Sequence, residues 1–325
     1  WPDIAWNLII QLLPDQHQTS IGSHKPSWRK IIPDDWKNSV THQEYWEQIS
    51  SYAKLAVDAA GQDPMRLSTL IDHFDHLPKP AFDQLFQVLS SQAISELPEE
   101  QRLSIWHHLT KFTNKHRRFA YAEWALPDEV ISRIERVAEQ LAPTDPLKLY
   151  QHLFTDRDFD LYEENGDWEQ QQKKLENRRE TAVSAIFQRH GFEGVIRFAE
   201  SVDSPSKVGY ALGSIADEVI ERNLLPHFLN SSDNKLKALV TVFIWRRHHL
   251  KGWEWCDNLD KSDWSLEQVG QFLACLPFTK ETWDRASKWL QAHESEYWTR
   301  TGANAHQADG DLAIAIEKLV EHGRP

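Results

Sequence analysis

The run Val240-Thr241-Val242-Phe243-Ile244 is the most β-branched stretch of the chain, and its reading decides the fold. Such residues favour strands, but strands are short and bounded by turn signals. This run sits inside an apolar pattern long enough for a buried helix, so length decides for helix. No Asn-Gly or Asp-Gly turn separates two alternating runs elsewhere. Asn165-Gly166-Asp167 is flanked by acids instead.

Outward from this run, helix starts recur. Thr41 with Glu44, and Ser265 with Gln268, fit the reciprocal cap in which a hydroxyl and a carboxylate or amide each take a free backbone N–H. Pro98 before Glu99 and Glu100, and Pro127 before Asp128 and Glu129, suit first turns, where acids meet the positive helix end. Ser204-Pro205 marks another start. Tyr45, Ile49, Tyr52, Leu55 and Ala56 predict one buried face. Leu103, Trp106, Leu109 and Phe112 predict a second, and Val130, Ile134, Val137, Ala138 and Leu141 a third. About a dozen helices follow from such signals.

Leu-Pro recurs at 13–14, 77–78, 97–98, 126–127, 225–226 and 276–277, each where a helical pattern stops or restarts. The uneven spacing fits no tetratricopeptide or ankyrin period. The expectation is therefore all-α: an irregular, divergent α-solenoid of helix hairpins, akin to HEAT or tetratricopeptide arrays, with no β-sheet. Residues 1–154 form an N-terminal helical half containing a polar ordered loop at 16–38. An acidic connector follows at 155–167, and 168–325 is the C-terminal half of one continuous solenoid. Trp1 in place of Met suggests a piece of something longer.

The chain has 325 residues, with 15 Trp but only 12 Gly, where an average chain has about 7% Gly. Its net charge of −13 argues against nucleic acid as the main ligand, since phosphate binding needs clustered cations. Lys115-His116-Arg117-Arg118 and Arg246-Arg247-His248-His249 are short basic knots, read as solvated helix ends. Two cysteines, Cys256 and Cys275, fit a reducing compartment, and no apolar run is long enough for a membrane span. A cytoplasmic protein with no membrane partner is expected.

Asp156, Asp158 and Asp160 imitate the start of a calcium loop, but Leu161 stands where Gly is needed and Asp167 where Glu is needed. Asp72, His73, Asp75 and His76 offer weak metal candidates in His73 and His76, which His107-His108 could complete if the two helices pair. They support a secondary reading as a metal-dependent hydrolase. The loop holding His17 and Ser23-His24 lacks the geometry of a nucleophilic triad. No nucleophile elbow, P-loop or dinucleotide fingerprint occurs, and Gly209 with Gly213 reads as a small-residue helix contact. No catalytic residue and no cofactor are expected. Partner contacts are sought at His24, Lys25, Trp28 and Arg29 in the loop, and at Trp245, Arg246, Trp253 and Trp255. Trp and Arg carry much interface energy, although most of the Trp residues should wedge helices together.

Several segments share a further likeness: His24-Lys25-Pro26-Ser27-Trp28-Arg29, Glu44-Tyr45-Trp46, Leu77-Pro78-Lys79-Pro80-Ala81-Phe82, Arg117-Arg118-Phe119, Trp124-Ala125-Leu126-Pro127, Trp253-Glu254-Trp255, Leu276-Pro277-Phe278 with Trp283, and Glu296-Tyr297-Trp298. Together they resemble the C-terminal helical region of very large bacterial STAND-type ATPases of antiviral defence. The resemblance implies a non-enzymatic, protein-binding sensor that gates an attached ATPase or effector. Its partner would be a foreign protein or those intramolecular domains. A structural scaffold in a larger assembly is the remaining alternative.

Overall fold

In the computed structural model, residues 2–13, 41–162 and 167–324 are described, and among them every regular element is helical. The run 240–244 lies within a long helix, as its length requires. The first part of the chain carries α1 (Pro2–Gln11), α2 (His42–Ala60), α3 (Pro64–Asp72), α4 (Lys79–Leu89), α5 (Gln92–Ser95), α6 (Glu99–Arg118) and α7 (Asp128–Leu141). The second carries α8 (Pro146–Leu149), α9 (Trp168–Ser201), α10 (Pro205–Ile215), α11 (Glu218–Leu224), α12 (Asn234–Asn258), α13 (Leu266–Ala274), α14 (Lys280–Leu290), α15 (Ser295–Trp298), α16 (Ala305–Ala308) and α17 (Leu312–Glu321). No described helix is long and apolar enough to cross a membrane.

The helix starts follow the local chemistry. The Thr41 hydroxyl accepts the Glu44 N–H at 3.2 Å while Glu44 Oε2 accepts the Thr41 N–H at 2.8 Å. Ser265 and Gln268 repeat this reciprocal cap at 3.2 and 2.8 Å. Pro78, Pro98 and Pro127 each stand immediately before a helix. On α7, Ile134, Val137, Ala138 and Leu141 are buried as expected, whereas Val130 is only half-buried and Ile131 takes the inward position. On α2 the expected face is corrected. Ile49 and Ala56 are buried, but with Ala53, Val57 and Ala60, whereas Tyr45 and Leu55 are exposed. Small side chains occupy the inward stripe, and Tyr45 instead sets its ring edge-on to Trp46 at 5.5 Å.

Two units divide the chain. The first comprises Trp1–Thr144 with Asp160–Asp167, and the second Asp145–Phe159 with Trp168–Pro325, so the acidic segment 155–167 is shared between them. In the first unit α1 packs on α2, α2 on α3 and α4, α3 on α6, and α6 on α7. Leu67, Leu70, Leu85, Ile105 and Leu109 are wholly buried there, and the Phe74 ring lies 4.5 Å from Phe82 and 5.7 Å from Phe112. Apolar burial of this kind supplies the main folding force, at about 25 cal/mol per Å².

In the second unit α8 packs on α9, α9 on α10, α10 on α12, and α13 on both α14 and α15. The α10–α12 contact depends on the small residues read from the sequence. A Cβ on Gly209 would collide with the Leu239 carbonyl, and one on Gly213 would lie 2.9 Å from Arg246 Cβ and 3.0 Å from the Phe243 carbonyl. Phe278, Trp283, Trp298 and Tyr297 form an aromatic cluster with successive ring separations of 5.1, 5.8 and 5.0 Å. Two long helices contain breaks at glycine: Gly191 in α9 (φ 66°, ψ −168°) and Gly252 in α12 (φ 65°, ψ −162°). That backbone region is essentially closed to residues with a Cβ.

Candidate functional site

The break at Gly252 helps to set up a concavity of the second unit. Asp217 caps α11 by accepting the Ile220 N–H at 2.9 Å, and Asp233 caps α12 through Lys235 and Leu236. Beyond Gly252 the helix takes a new direction and carries Glu254, Trp255 and Asn258. The chain is then turned by Lys261, whose Nζ donates to the Cys256 and Leu259 carbonyls at 2.7 and 2.8 Å. Asp260 accepts the Ser262 N–H at 3.0 Å, a bond that holds its carboxyl below the usual carboxylate range. Trp264 then sets its ring edge-on to Phe272 at 5.4 Å, with Trp255 on the same phenyl at 5.8 Å.

These elements enclose a cleft of about 640 Å³. One wall is Glu218, Glu221, Arg222 and Leu225 from α11 and its end; the other is Lys251, Glu254, Trp255 and Asn258 from α12; Leu259, Asp260 and Trp264 complete it. Behind the wall lies a buried ion pair. Arg247 Nε and its NH2 group both donate to Glu221 Oε1, the first at 2.8 Å, and the two side chains are 3% and 8% exposed. The Arg247 guanidinium also stands 5.9 Å from the Trp255 ring centre. Trp255 is buried, and its Nε1–H has no acceptor.

A second aromatic feature lies where α10 meets α12. Trp245 is 41% exposed and stacks on His249 at 5.4 Å with 6° between the ring planes. Tyr210 lies 6.4 Å from Trp245 on the same surface, and the Arg246 guanidinium covers the Tyr210 ring at 4.3 Å. Arg246 Nε donates to Ser214 Oγ at 2.9 Å. Trp253 is engaged otherwise: Arg285 lies 4.1 Å over its ring, His248 meets it at 4.4 Å, and Arg285 holds Asp257 with two bonds of 2.8 and 2.7 Å.

Among the sequence-derived partner candidates, then, Trp245 presents a surface ring, Arg246 and Trp253 are held by intramolecular contacts, and Trp255 walls the cleft. His24, Lys25, Trp28 and Arg29 lie outside the described residues. Both basic knots need correction as simple solvated helix ends. In the second, Arg247 is buried because it follows Val240, Phe243 and Ile244 at helical spacing, on their face. In the first, His116 is buried and Arg117 ties α6 to α7 by binding Asp128 and, at 2.9 and 2.7 Å, Glu135.

The His/Asp segment is brought near α6, as its metal reading required, and there its carboxylates meet His and Lys side chains. His108 Nδ1 meets Asp72 Oδ1 at 3.0 Å. Asp75 is met by His76 at 3.4 Å, His116 at 3.6 Å and Lys115 at 3.8 Å, and His73 stays outside this group. Burial pushes the Asp75 carboxyl up, but the neighbouring His116, His76 and Lys115 side chains outweigh it, leaving the pKa lowered. His116 Nδ1 accepts the Leu126 N–H at 3.1 Å, which leaves the ring proton on Nε2, toward Asp75. Among the described residues no three His, Cys, Asp or Glu side chains are grouped to hold a metal. In the calcium-like segment, Asp158 is occupied by Arg179 and Lys207, each at 2.6 Å. Both cysteines are free and buried, and burial pushes the Cys256 thiol up to about 12 and Cys275 to about 11, so neither is a ready nucleophile.

Sequence reasoning missed Glu218, Glu221, Glu254, Asp260 and Trp264 as parts of one site. The available signal was Gly252, an isolated glycine inside a helical pattern, which marks a break or close approach. No protein-family model matches the chain, and neither a curated protein nor a solved structure matches it.

Proposed function

We propose that this chain is a non-enzymatic helical module that binds a protein, with the Trp-walled cleft of the second unit as its main contact. The cleft carries the reading. It joins aromatic walls, charged groups and a buried ion pair in one concavity, the mixture expected of a recognition site. The exposed Trp245–His249 stack supplies an accessory contact on the same unit. In keeping with the resemblance, the module is a divergent solenoid of helix hairpins acting as the sensor of a larger bacterial defence ATPase. The free, buried cysteines fit the cytoplasm in which such a protein would work.

The test is affinity capture on the immobilised full chain, with a Trp264→Ala/Glu254→Lys variant alongside. The expected result is a protein recovered by the parent chain and lost, by roughly tenfold, with the variant, equal to about 1.4 kcal/mol. Recovery of nucleic acid alone, or of the same protein equally by both chains, would overturn the reading.

A further inference from the structure

His116 stands near the end of α6 with its side chain wholly buried in the first unit. Its Nδ1 accepts the Leu126 N–H at 3.1 Å, which ties the connection 119–127 back onto the helix. Its Nε2 lies 3.6 Å from Asp75 Oδ2, just beyond hydrogen-bond reach. Both of these facing atoms are buried, and neither has a hydrogen-bond partner. The ring is therefore held by the backbone and stops short of the carboxylate.

The ionisable groups facing His116 are Asp75, with His76 beside it, from the turn after α3, and Lys115 from its own helix. Asp128 and Glu135 of α7 are taken by Arg117, and Arg118 lies 4.7 Å over the Phe119 ring. The remaining neighbours are Phe112 at 4.4 Å and Trp124, edge-on at 5.3 Å. A neutral imidazole offers one donor and one acceptor, whereas an imidazolium offers two donors and no acceptor. No orientation of a charged His116 can therefore accept the Leu126 N–H. Asp75 favours the charged ring, and its Oδ2 gains a donor if the ring closes the 3.6 Å gap. The bond to the backbone, rather than the approach to Asp75, is what gives way.

We infer that His116 is an acid-released latch: protonation moves its bonding from Leu126 to Asp75 and frees the connection between α6 and α7. That connection carries Phe119 and Trp124, packed on each other at 5.6 Å, and Trp124 is already 40% exposed. Release bares the faces of these rings that now rest on α6. The device thus presents aromatic surface as pH falls, in the range of about pH 8 to 5 where histidine changes charge. It is independent of the protein-binding reading above.

The test follows the isotope-labelled full chain by NMR from about pH 8 to 5. His116 should carry its proton on Nε2 at the upper end and be protonated on both nitrogens at the lower. Over the same range the Leu126 amide, corrected for intrinsic exchange, should lose protection about tenfold, as expected for one hydrogen bond. The Trp124 indole signal should shift with the same midpoint, while the Leu109 amide in the core of α6 keeps its protection. In His116→Gln the side-chain oxygen can accept the Leu126 N–H at every pH, so both responses should be absent. Should that variant fail to fold, the parent chain decides alone. A ring that stays neutral throughout, or one that charges while Leu126 stays protected, overturns the inference. So does a response that survives in His116→Gln, or a parallel loss at Leu109, which would mark general unfolding.

Discussion

Arg247 and Glu221, 26 residues apart in sequence, form an ion pair that is almost completely withdrawn from water. Charges in such a position are costly singly and tolerable together. Glu221→Gln or Arg247→Met alone should therefore destabilise the second unit by about 3–5 kcal/mol, and Arg247→Met with Glu221→Leu should recover most of that loss. Urea unfolding of the four chains decides it. Additive losses in the double variant would contradict a coupled pair.

The α10–α12 contact sets a second expectation. Gly209→Ala places a methyl group against the backbone carbonyl of Leu239, which cannot rotate away. The expected cost is about 3 kcal/mol, at the upper end for overpacking. Gly302→Ala meets open space and should stay within about 0.5 kcal/mol of the parent. Thermal unfolding of both variants separates local crowding from a general intolerance of alanine.

Gln291 ends α14 at φ 51° and ψ −119°, a region that disfavours any side chain. Gln291→Gly should stabilise the chain by about 1 kcal/mol, since relief of about 1–3 kcal/mol of strain exceeds the entropy that glycine loses. A lower midpoint in guanidinium would show that the Gln291 side chain makes a stabilising contact there.

Asp158 provides the pH dependence. Burial raises its pKa, but hydrogen bonds and charge from Arg179 and Lys207 prevail and leave it lowered. Its folded-state pKa thus lies below the unfolded value of about 3.9. The stability it contributes is complete above that value and is lost as pH falls through the folded pKa. Asp158→Asn should cost about 1–3 kcal/mol at pH 7 and flatten the acid limb of stability below about pH 4. An unchanged acid limb would assign that limb to other carboxylates.

Much of the helical frame was legible because its causes are local. The caps at Thr41 and Ser265 need residues only three apart, and Gly209 with Gly213 announces a close helix contact by spacing alone. The inward face of α2 differs from the expected one because its buried positions include the small Ala53, Ala56 and Ala60, while the larger Tyr45 and Leu55 stay exposed. Arg247 follows Phe243 by four residues, so its position on the buried face could be read, but its partner could not. Glu221 sits on another helix, and nothing near Arg247 in sequence specifies it. The cleft was hidden for the same reason: Glu221 and Trp264 meet only through the placement of α11, α12 and the turn at Lys261.

Gly191 and Gly252 share one backbone conformation, and each is followed by an aromatic residue and a glutamate, Phe192-Glu193 and Trp253-Glu254. Each acts as a joint at which helical phase restarts. Before the joint Phe243 and Arg247 face the interior; after it Glu254 and Asn258 line the cleft, while Trp255 and Cys256 are buried again. Sequence change at Glu254 or Asn258 can therefore alter the lining of the cleft without re-registering the helix that carries Phe243 and Arg247.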